Sequence, residues 1–216
     1  MTERIICILI GYAFGLFQTG YLYGRANGID IRQSGSGNAG TTNALRTLGL
    51  KAGLLTLCGD LGKCILAVLV AWLIFRHRRL ELLPLLKIYT SAGVIIGHDF
   101  PFYLKFHGGK GIAATGGMII AFGDIRLILV GLVAFVSLFL LTHYVSLGSI
   151  ALSLSFLIGI ILSAPGYGMA PGATREIVIV VAILTVIAVA AHRGNIARLV
   201  HGNERKTYLT RKNKSA

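Results

Sequence analysis

Long apolar runs separated by short polar segments make up most of this chain of 216 residues. A helix rises ~1.5 Å per residue, so the first run, of twenty uncharged residues, can cross ~30 Å of hydrocarbon. The pattern predicts an all-α polytopic integral membrane protein, in one domain over residues 1–216, with about seven transmembrane helices, some short or broken. The seven runs lie at residues 5–24, 52–75, 80–97, 111–123, 127–142, 147–163 and 177–191.

Composition supports a membrane protein, because 55% of the residues are hydrophobic and only 13% are charged. Lys and Arg outnumber Asp and Glu by 21 to 8. The aromatic residues do not interleave with the basic ones as a base-stacking surface requires, so we expect no nucleic acid partner. The basic residues suit membrane lipid headgroups and phosphorylated substrates better. The cysteines match no zinc-binding pattern, and no metal or other cofactor is expected.

The distribution of Lys and Arg predicts an orientation. Segments 24–51, 98–115 and 192–216 hold 13 of the 21 basic residues, the opposite segments hold seven, and Lys63 lies inside an apolar run. Because basic residues concentrate on the cytoplasmic side, we expect the N-terminus outside and the C-terminus inside. The basic run at 76–79 opposes this rule. The orientation places three polar, Gly- or Asn-bearing stretches on the cytoplasmic face.

One of these stretches interrupts the apolar pattern at 97–117 with Gly108-Gly109-Lys110-Gly111. Residues without a Cβ can turn successive N–H groups toward one point, and such a concavity binds anions. A helix that starts after Gly111 would direct its N-terminal N–H groups and dipole to the same point. We therefore predict a phosphate cradle. The alternative is a close-packing surface or re-entrant loop without a ligand.

The first stretch along the chain, at 35–40, reads GSGNAG and matches the G-x-G-x-x-G pattern of dinucleotide-binding folds, with Asp60 twenty residues later. That fingerprint needs a strand before it and a βαβ unit after it, whereas this one follows a membrane-length run. The small donors and Arg46 predict a second anion-binding loop, since Arg holds phosphate oxygens bidentately. The alternative is a solvated loop before an interfacial helix capped by Thr42 or Asn43. Asp60 and Lys63, one turn apart, predict an i,i+3 ion pair.

The third stretch follows the last apolar run and reads HRGN at 192–195, with Arg198 and Glu204 beyond it. His192 is either a reactive group or an interfacial residue, and His98 beside Asp99 has the same two interpretations.

Together, GSGNAGTTNALR, GHDFPFYLKFHGGKGIA and HRGNIARLVHGNE resemble, in this order and spacing, the three cytoplasmic motifs of the bacterial acyl-phosphate-dependent glycerol-3-phosphate acyltransferases, the PlsY family. The resemblance covers essentially the whole chain. It implies a seven-helix enzyme of the bacterial inner membrane, with its active site on the cytoplasmic face. Such enzymes transfer an acyl chain from acyl phosphate to the sn-1 hydroxyl of glycerol 3-phosphate, giving lysophosphatidic acid and phosphate. A soluble enzyme that makes the donor is a further expected partner.

Motif matching assigns catalytic roles to Ser36, His192 and Asn195. The tandem Thr41-Thr42 departs from the usual family pattern and leaves open which hydroxyl serves the site. The expected substrate- and phosphate-binding residues are Asn38, Gly40, Thr41, Asn43, Arg46, Gly108, Gly109, Lys110 and Gly111.

Direct acyl transfer is the expected chemistry, because the sequence has no recognisable nucleophile elbow. The general base is either His192 or an oxygen of the substrate phosphate. One rival function is a small transporter for an anionic solute, which predicts an internal repeat and polar residues at the bilayer midplane. Another is a metal-dependent phosphoalcohol transferase, which needs several Asp on one helix face. Neither pattern is visible in the sequence.

Overall fold

The computed structural model describes residues 1–208, and in this range the chain is helical, without strands. Three of the basic residues counted in the 192–216 tail, Arg211, Lys212 and Lys214, lie outside the described residues. The helices are α1 Thr2–Gly15, α2 Thr19–Ala26, α3 Thr41–Leu48, α4 Leu50–Phe75, α5 Leu83–Asp99, α6 Ile112–Phe122, α7 Ile125–Thr142, α8 Val145–Ser163, α9 Pro171–Ala191 and α10 Arg193–Val200.

The prediction of a polytopic all-α membrane protein is confirmed. Within the described range, six stretches are long and apolar enough to cross a membrane, and the remaining predicted run, at 111–123, forms α6, which has 11 residues. The six stretches are Thr2–Ala26, Leu50–Phe75, Leu80–Leu104, Ile125–Thr142, Val145–Tyr167 and Pro171–Ala191.

The first apolar run is broken, whereas the sequence pattern shows it as continuous. The helix stops after Gly15 and resumes at Thr19, which leaves backbone carbonyls without helical partners. The buried amide Nε2 of Gln18 donates to Gly15 O at 3.1 Å, and Lys63 Nζ donates to Phe17 O at 2.7 Å. Irregular backbone is tolerated at membrane depth where protein groups satisfy it in this way.

The expected ion pair between Asp60 and Lys63 is confirmed, with 3.0 Å between Nζ and Oδ1. It lies well inside α4 rather than near an end, and both side chains are buried. Lys63 also contacts His98 on α5, so the pair joins three parts of the chain.

Close contact between α1 and α5 depends on two G-x-x-x-G pairs, Gly11 with Gly15 and Gly93 with Gly97. A Cβ on Gly11 would lie 1.9 Å from a backbone oxygen of α5, and one on Gly93 would lie 2.3 Å from a backbone oxygen of α1. Small residues at such positions let membrane helices approach until their backbones touch. This contact holds the broken first span against the end of α5.

The apolar core lies between α4, α5, α6, α8 and α9. In it, the rings of Phe122 and Phe156 meet edge to face with their centroids 6.1 Å apart. By contrast, α7 is largely exposed, as expected of a helix that faces lipid. The largest fully buried core side chains include Leu85, Ile88, Met118, Phe156, Ile160 and Ile177.

The end of the bundle formed by the start of α1 and the end of α4 carries the arginines that oppose the orientation rule. Several pair with carboxylates, which reduces the local excess of positive charge: Arg79 with Glu3 at 2.9 Å, Arg4 with Glu176 at 2.6 Å and Arg126 with Asp124 at 2.7 Å. The three polar stretches lie together at the other end.

Candidate active site

The loop at residues 34–40 is shaped by Asn43. This side chain is buried, and its Nδ2 donates to the carbonyls of Ile31, Ser34 and Asn38 at 2.9–3.0 Å. Its Oδ1 accepts the N–H of Ser36 at 2.8 Å. Because these bonds occupy the amide, Asn43 positions the loop in this structure. The proposed caps Thr42 and Asn43 do not cap α3, which begins at Thr41 with Gly40 as the N-cap residue.

Two hydroxyls of this segment are without partners in the described part of the chain. Ser36 is exposed, and its Oγ makes no hydrogen bond there. The Oγ1 of Thr41 is buried and likewise unpartnered. A buried hydroxyl without a partner is costly unless a ligand supplies one. This favours Thr41 as the threonine available to a substrate.

The glycine loop, residues 108–111, differs in part from the predicted phosphate-binding site. The N–H groups of Gly108 and Gly109 donate to the carbonyls of Asp99 and His98 at 3.1 and 3.0 Å, so they are not free for an anion. A Cβ on Gly109 would lie only 1.8 Å from His98 Nε2. These two positions are therefore glycine because the loop packs directly on the end of α5.

The remaining part of the loop keeps the features of an anion site. Gly111 has a φ of +70°, in the left-handed region that favours glycine, and it is the N-cap residue of α6. The first N–H groups of a helix have no intrahelical partners, and the helix dipole favours negative charge there. Lys110 directly precedes this terminus and adds a full positive charge.

Hydrogen bonds join the three polar stretches to one another. Asn38 Nδ2 donates to Gly108 O at 3.3 Å, which connects the first stretch with the glycine loop. Lys110 Nζ donates to Asn195 Oδ1, which connects the glycine loop with the third stretch. Arg46 donates to Thr207 Oγ1 at 2.6 Å, which connects the first stretch with the C-terminal tail. The three polar stretches therefore lie around one location.

Glu204 belongs to the same network and was not predicted as a site residue. Its Oε1 accepts from Asn195 Nδ2 at 2.6 Å and from Ser146 Oγ at 3.0 Å, and its Oε2 accepts from Arg198 Nε at 2.8 Å. Burial raises the pKa of this carboxyl, but the three hydrogen bonds outweigh burial and leave the pKa below its ordinary value. In the sequence, Glu204 is the last residue of the third motif, HRGNIARLVHGNE, and the one acidic residue in that motif.

His192 is buried, and its Nδ1–H donates to Ala188 O at 2.8 Å. This bond places the proton on Nδ1 and leaves Nε2 as an acceptor. Burial lowers the pKa of His192, and the charge of Lys110 acts in the same direction. Burial also lowers the pKa values of Lys110 and Arg46. The neutral imidazole beside Lys110 has a free Nε2 that can accept a proton.

An apolar groove of about 670 Å³ runs between α1 and α4. Its polar end is Lys63, which contacts His98, and His98 packs on Gly109 of the glycine loop. The groove therefore leads from the apolar flank of the bundle toward the anion site. Its lining residues are Ala13, Phe14, Phe17, Cys58, Gly59, Gly62, Lys63 and Leu66.

The site is cationic, contains glycines and lies at one end of a membrane-spanning bundle, beside an apolar groove. These features define a class of integral membrane protein that binds an anionic group and a lipid chain side by side. Comparison with known proteins identifies the family. The profile of the family described as glycerol-3-phosphate acyltransferase matches residues 5–202. The chain belongs to this family of membrane acyltransferases, in the PlsY group.

Related proteins match along nearly their whole length. Glycerol-3-phosphate acyltransferase of Clostridioides difficile is 39% identical over 209 residues, which are 94% of each chain. That of Bacillus subtilis is 36% identical over 204 residues, 93% of this chain and 96% of the relative. The crystal structure of PlsY (YgiH) in its glycerol 3-phosphate form matches with a TM-score of 0.81 at 27% identity, covering 95% of this chain and 96% of that one. A lysophosphatidic acid form matches with a TM-score of 0.78.

Proposed function

We propose that this chain transfers an acyl group from acyl phosphate to the sn-1 hydroxyl of glycerol 3-phosphate, producing lysophosphatidic acid and phosphate. The observation that carries the proposal is the placement of Arg46 and Lys110 around one site, next to the α6 N-terminus and an apolar groove. Each substrate has a phosphate group, and the donor also has an acyl chain. The solved relatives in glycerol 3-phosphate and lysophosphatidic acid forms support this choice of acceptor and product.

The enzyme has to align the two substrates more than it has to activate the acyl donor, because phosphate is a good leaving group. The sn-1 oxygen attacks the acyl carbonyl carbon, the bond from that carbon to the phosphate oxygen breaks, and phosphate leaves with the bonding electrons. Lys110, Arg46 and the α6 N-terminus stabilise the developing negative charge. Either His192 Nε2 or an oxygen of a substrate phosphate accepts the hydroxyl proton.

Ser36, Asn195 and the loop residues hold the reactants in this scheme. Ser36 and Thr41 have hydroxyls that can contact glycerol or phosphate oxygens. Asn195 orients Lys110, while Asn38, Gly40 and Asn43 keep the first loop in place.

The acyl donor is tested by supplying purified protein and glycerol 3-phosphate with acyl phosphate, acyl-CoA or acyl carrier protein, each separately. We expect turnover with acyl phosphate alone, followed as phosphate release, because the short loops between helices offer little docking surface for a nucleotide or a carrier. A reaction without protein is the control for spontaneous hydrolysis of each donor. Turnover with acyl-CoA and none with acyl phosphate would overturn the assignment, and activity with neither donor would favour the transporter.

We further propose that the enzyme lies in the bacterial inner membrane with the N-terminus outside and the site facing the cytoplasm. There it is accessible to membrane lipids and to a soluble donor-making enzyme. Single cysteines at positions 36, 110 and 195, in a chain without Cys7, Cys58 and Cys64, should react with an impermeant thiol reagent only after the cells are permeabilised. A cysteine at position 77, at the other end of the bundle, is the control and should react in intact cells. Labelling at position 110 in intact cells would contradict this orientation.

A further inference from the structure

The chain turns back after α10 and packs against the bundle. Residues 203–208, the C-terminal segment, lie beyond residues 5–202, which the family profile matches. Asn203 N–H donates to a carbonyl of α10 at 2.7 Å, and Thr207 N–H donates to His143 O at 2.9 Å. The segment is therefore held on α10 at one end and on the turn between α7 and α8 at the other.

The C-terminal segment reaches Arg46, which binds phosphate in the proposed reaction. Arg46 Nη2 donates to Arg205 O at 2.9 Å and to Thr207 Oγ1 at 2.6 Å. Nη2 carries two hydrogens, so these two acceptors engage both of them. Nε and Nη1 make no hydrogen bond within residues 1–208. The N–H groups on these two nitrogens therefore remain for a ligand.

Thr207 suits this contact because its side chain is both buried and uncharged. Only 1% of its surface is exposed, so its hydroxyl is a fixed acceptor. A carboxylate in this place would neutralise the guanidinium of Arg46. A hydroxyl and a carbonyl hold the group and leave its whole charge for an anion.

The surroundings of Arg46 explain why its guanidinium needs to be held. Burial lowers the pKa of Arg46, while the charge of Glu204 raises it. The charges of Arg205 and Arg198 act in the same direction as burial, so like charges oppose the position of the guanidinium. An arginine side chain also has many rotamers, and ordering it when a ligand binds costs free energy. Contacts that order the side chain beforehand make phosphate binding more favourable.

We propose that Thr207 is a positioning residue for the reaction: with the carbonyl of Arg205 it holds Nη2 of Arg46, so that the Nε and Nη1 hydrogens contact the substrate phosphate. The two edges of a guanidinium that can hold a pair of oxygens both include Nη2. While the C-terminal segment is bound, the planar group therefore joins Thr207 to phosphate through different nitrogens. The inference rests on the proposed function, because it takes Arg46 to bind a substrate phosphate.

Two substitutions of Thr207 separate its hydroxyl from its shape. Valine has nearly the same shape without the hydroxyl, and serine keeps the hydroxyl. We expect Thr207→Val to lower kcat/KM about three- to tenfold, as for the cost of ordering one flexible side chain, and Thr207→Ser to stay within about twofold of wild type. Thr90→Val is the matched control, since Thr90 is a buried threonine whose hydroxyl donates to Leu86 O within α5.

A double-mutant cycle with Arg46→Ala shows whether Thr207 acts through Arg46. In Arg46→Ala protein, Thr207→Val should have no further effect, because the side chain that it positions is gone. A structural role alone predicts that the two losses multiply. Multiplied losses, or wild-type kinetics of Thr207→Val, would overturn the proposal. A gain in Thr207→Val would also overturn it, because the C-terminal segment would then compete with phosphate for Nη2.

Phosphate binding is measured in the same variants, as the rise in Tm of the full-length protein with inorganic phosphate or glycerol 3-phosphate. The rise should be smaller in Thr207→Val than in wild type and in Thr207→Ser. No acyl donor takes part, so a wrong donor assignment would leave this difference intact. An equal rise in Thr207→Val and wild type, with a reduced rise in Arg46→Ala, would overturn the positioning role alone. An unchanged rise in Arg46→Ala would overturn phosphate binding by Arg46 and the positioning role with it.

Discussion

Lys110 donates a hydrogen bond to the side-chain oxygen of Asn195, although 85 residues separate them along the chain. The amide nitrogen of Asn195 donates in turn to Glu204. This chain of contacts fixes the orientation of the amide and aligns the lysine with the start of α6. The glycine loop and the C-terminal segment therefore depend on each other.

The first prediction concerns this contact. Asn195→Ala removes the acceptor of Lys110 and a donor to Glu204, so the ammonium loses its fixed position. We expect kcat/KM to fall at least about tenfold, as for the loss of a hydrogen bond to a charged group. Asn203→Ala, at an exposed position of the same segment, should retain wild-type kinetics. Equal kinetics of the two variants would contradict the role of Asn195.

The second prediction concerns the two cations. Arg46→Ala and Lys110→Ala should each lower kcat/KM at least about tenfold, because each removes a charge-assisted contact with phosphate. Arg46→Lys should recover only part of the activity, since lysine lacks the planar fork of the guanidinium. Lys51→Ala, at an exposed position near the start of α4, is the control. Wild-type kinetics of a folded Lys110→Ala protein would indicate that the glycine loop serves packing alone.

The third prediction tests why the loop contains glycine. Gly109→Ala places a methyl group 1.8 Å from His98 Nε2, and the ring cannot easily move because Lys63 holds it. Overpacking of this kind costs about 1–3 kcal/mol, so the Tm should fall together with the activity. Gly172→Ala is the control, because a Cβ there meets no atom within 4 Å and the position lies in the first turn of α9. An unchanged Tm for Gly109→Ala would mean that α5 and the loop move apart readily.

Hydrophobic patterning predicted the fold class and the approximate helices, because each span needs a long apolar run to be stable in lipid. It did not show the break before Thr19. That break is stabilised by Gln18, whose amide reaches the carbonyl of His98, 80 residues away in sequence. Long-range polar contacts of this kind leave no periodic signal.

The candidate site was predictable as a set of polar stretches, but the hydrogen-bond partners of its individual groups were not. The N–H groups of Gly108 and Gly109 were predicted as anion donors, and the structure shows them bonded to the end of α5. Glu204 belongs to the third motif, but its role was not predictable, because its partners come from α8 and α10. The same is true of His98, whose ring contacts Lys63 in another helix.

The fourth prediction concerns the dependence of stability on pH. The folded protein holds the pKa of Glu204 below its ordinary value of 4.5, so its contribution to stability is complete above that pH. The contribution is lost as the pH falls through the lowered folded-state pKa. Glu204→Gln should therefore have a lower Tm than wild type at pH 7, and the difference should shrink below about pH 4.5. A difference that stays constant at acidic pH would exclude the ionised carboxylate as its cause.

The last prediction concerns the length of the acyl chain. Gly62 lines the apolar groove, and a Cβ at this position meets no atom within 4 Å, so a larger side chain extends into the groove without disturbing the fold. If the acyl chain of the donor lies there, Gly62→Leu displaces several of its methylene groups. Each buried methylene is worth about 0.8 kcal/mol, so kcat/KM for a long-chain acyl phosphate should fall more than about tenfold, while a short-chain donor is hardly affected. Gly166→Leu, equally unhindered but near the end of α8 away from the groove, should leave the preference unchanged. An equal loss for both donors, or no loss for either, would place the acyl chain elsewhere on the bundle.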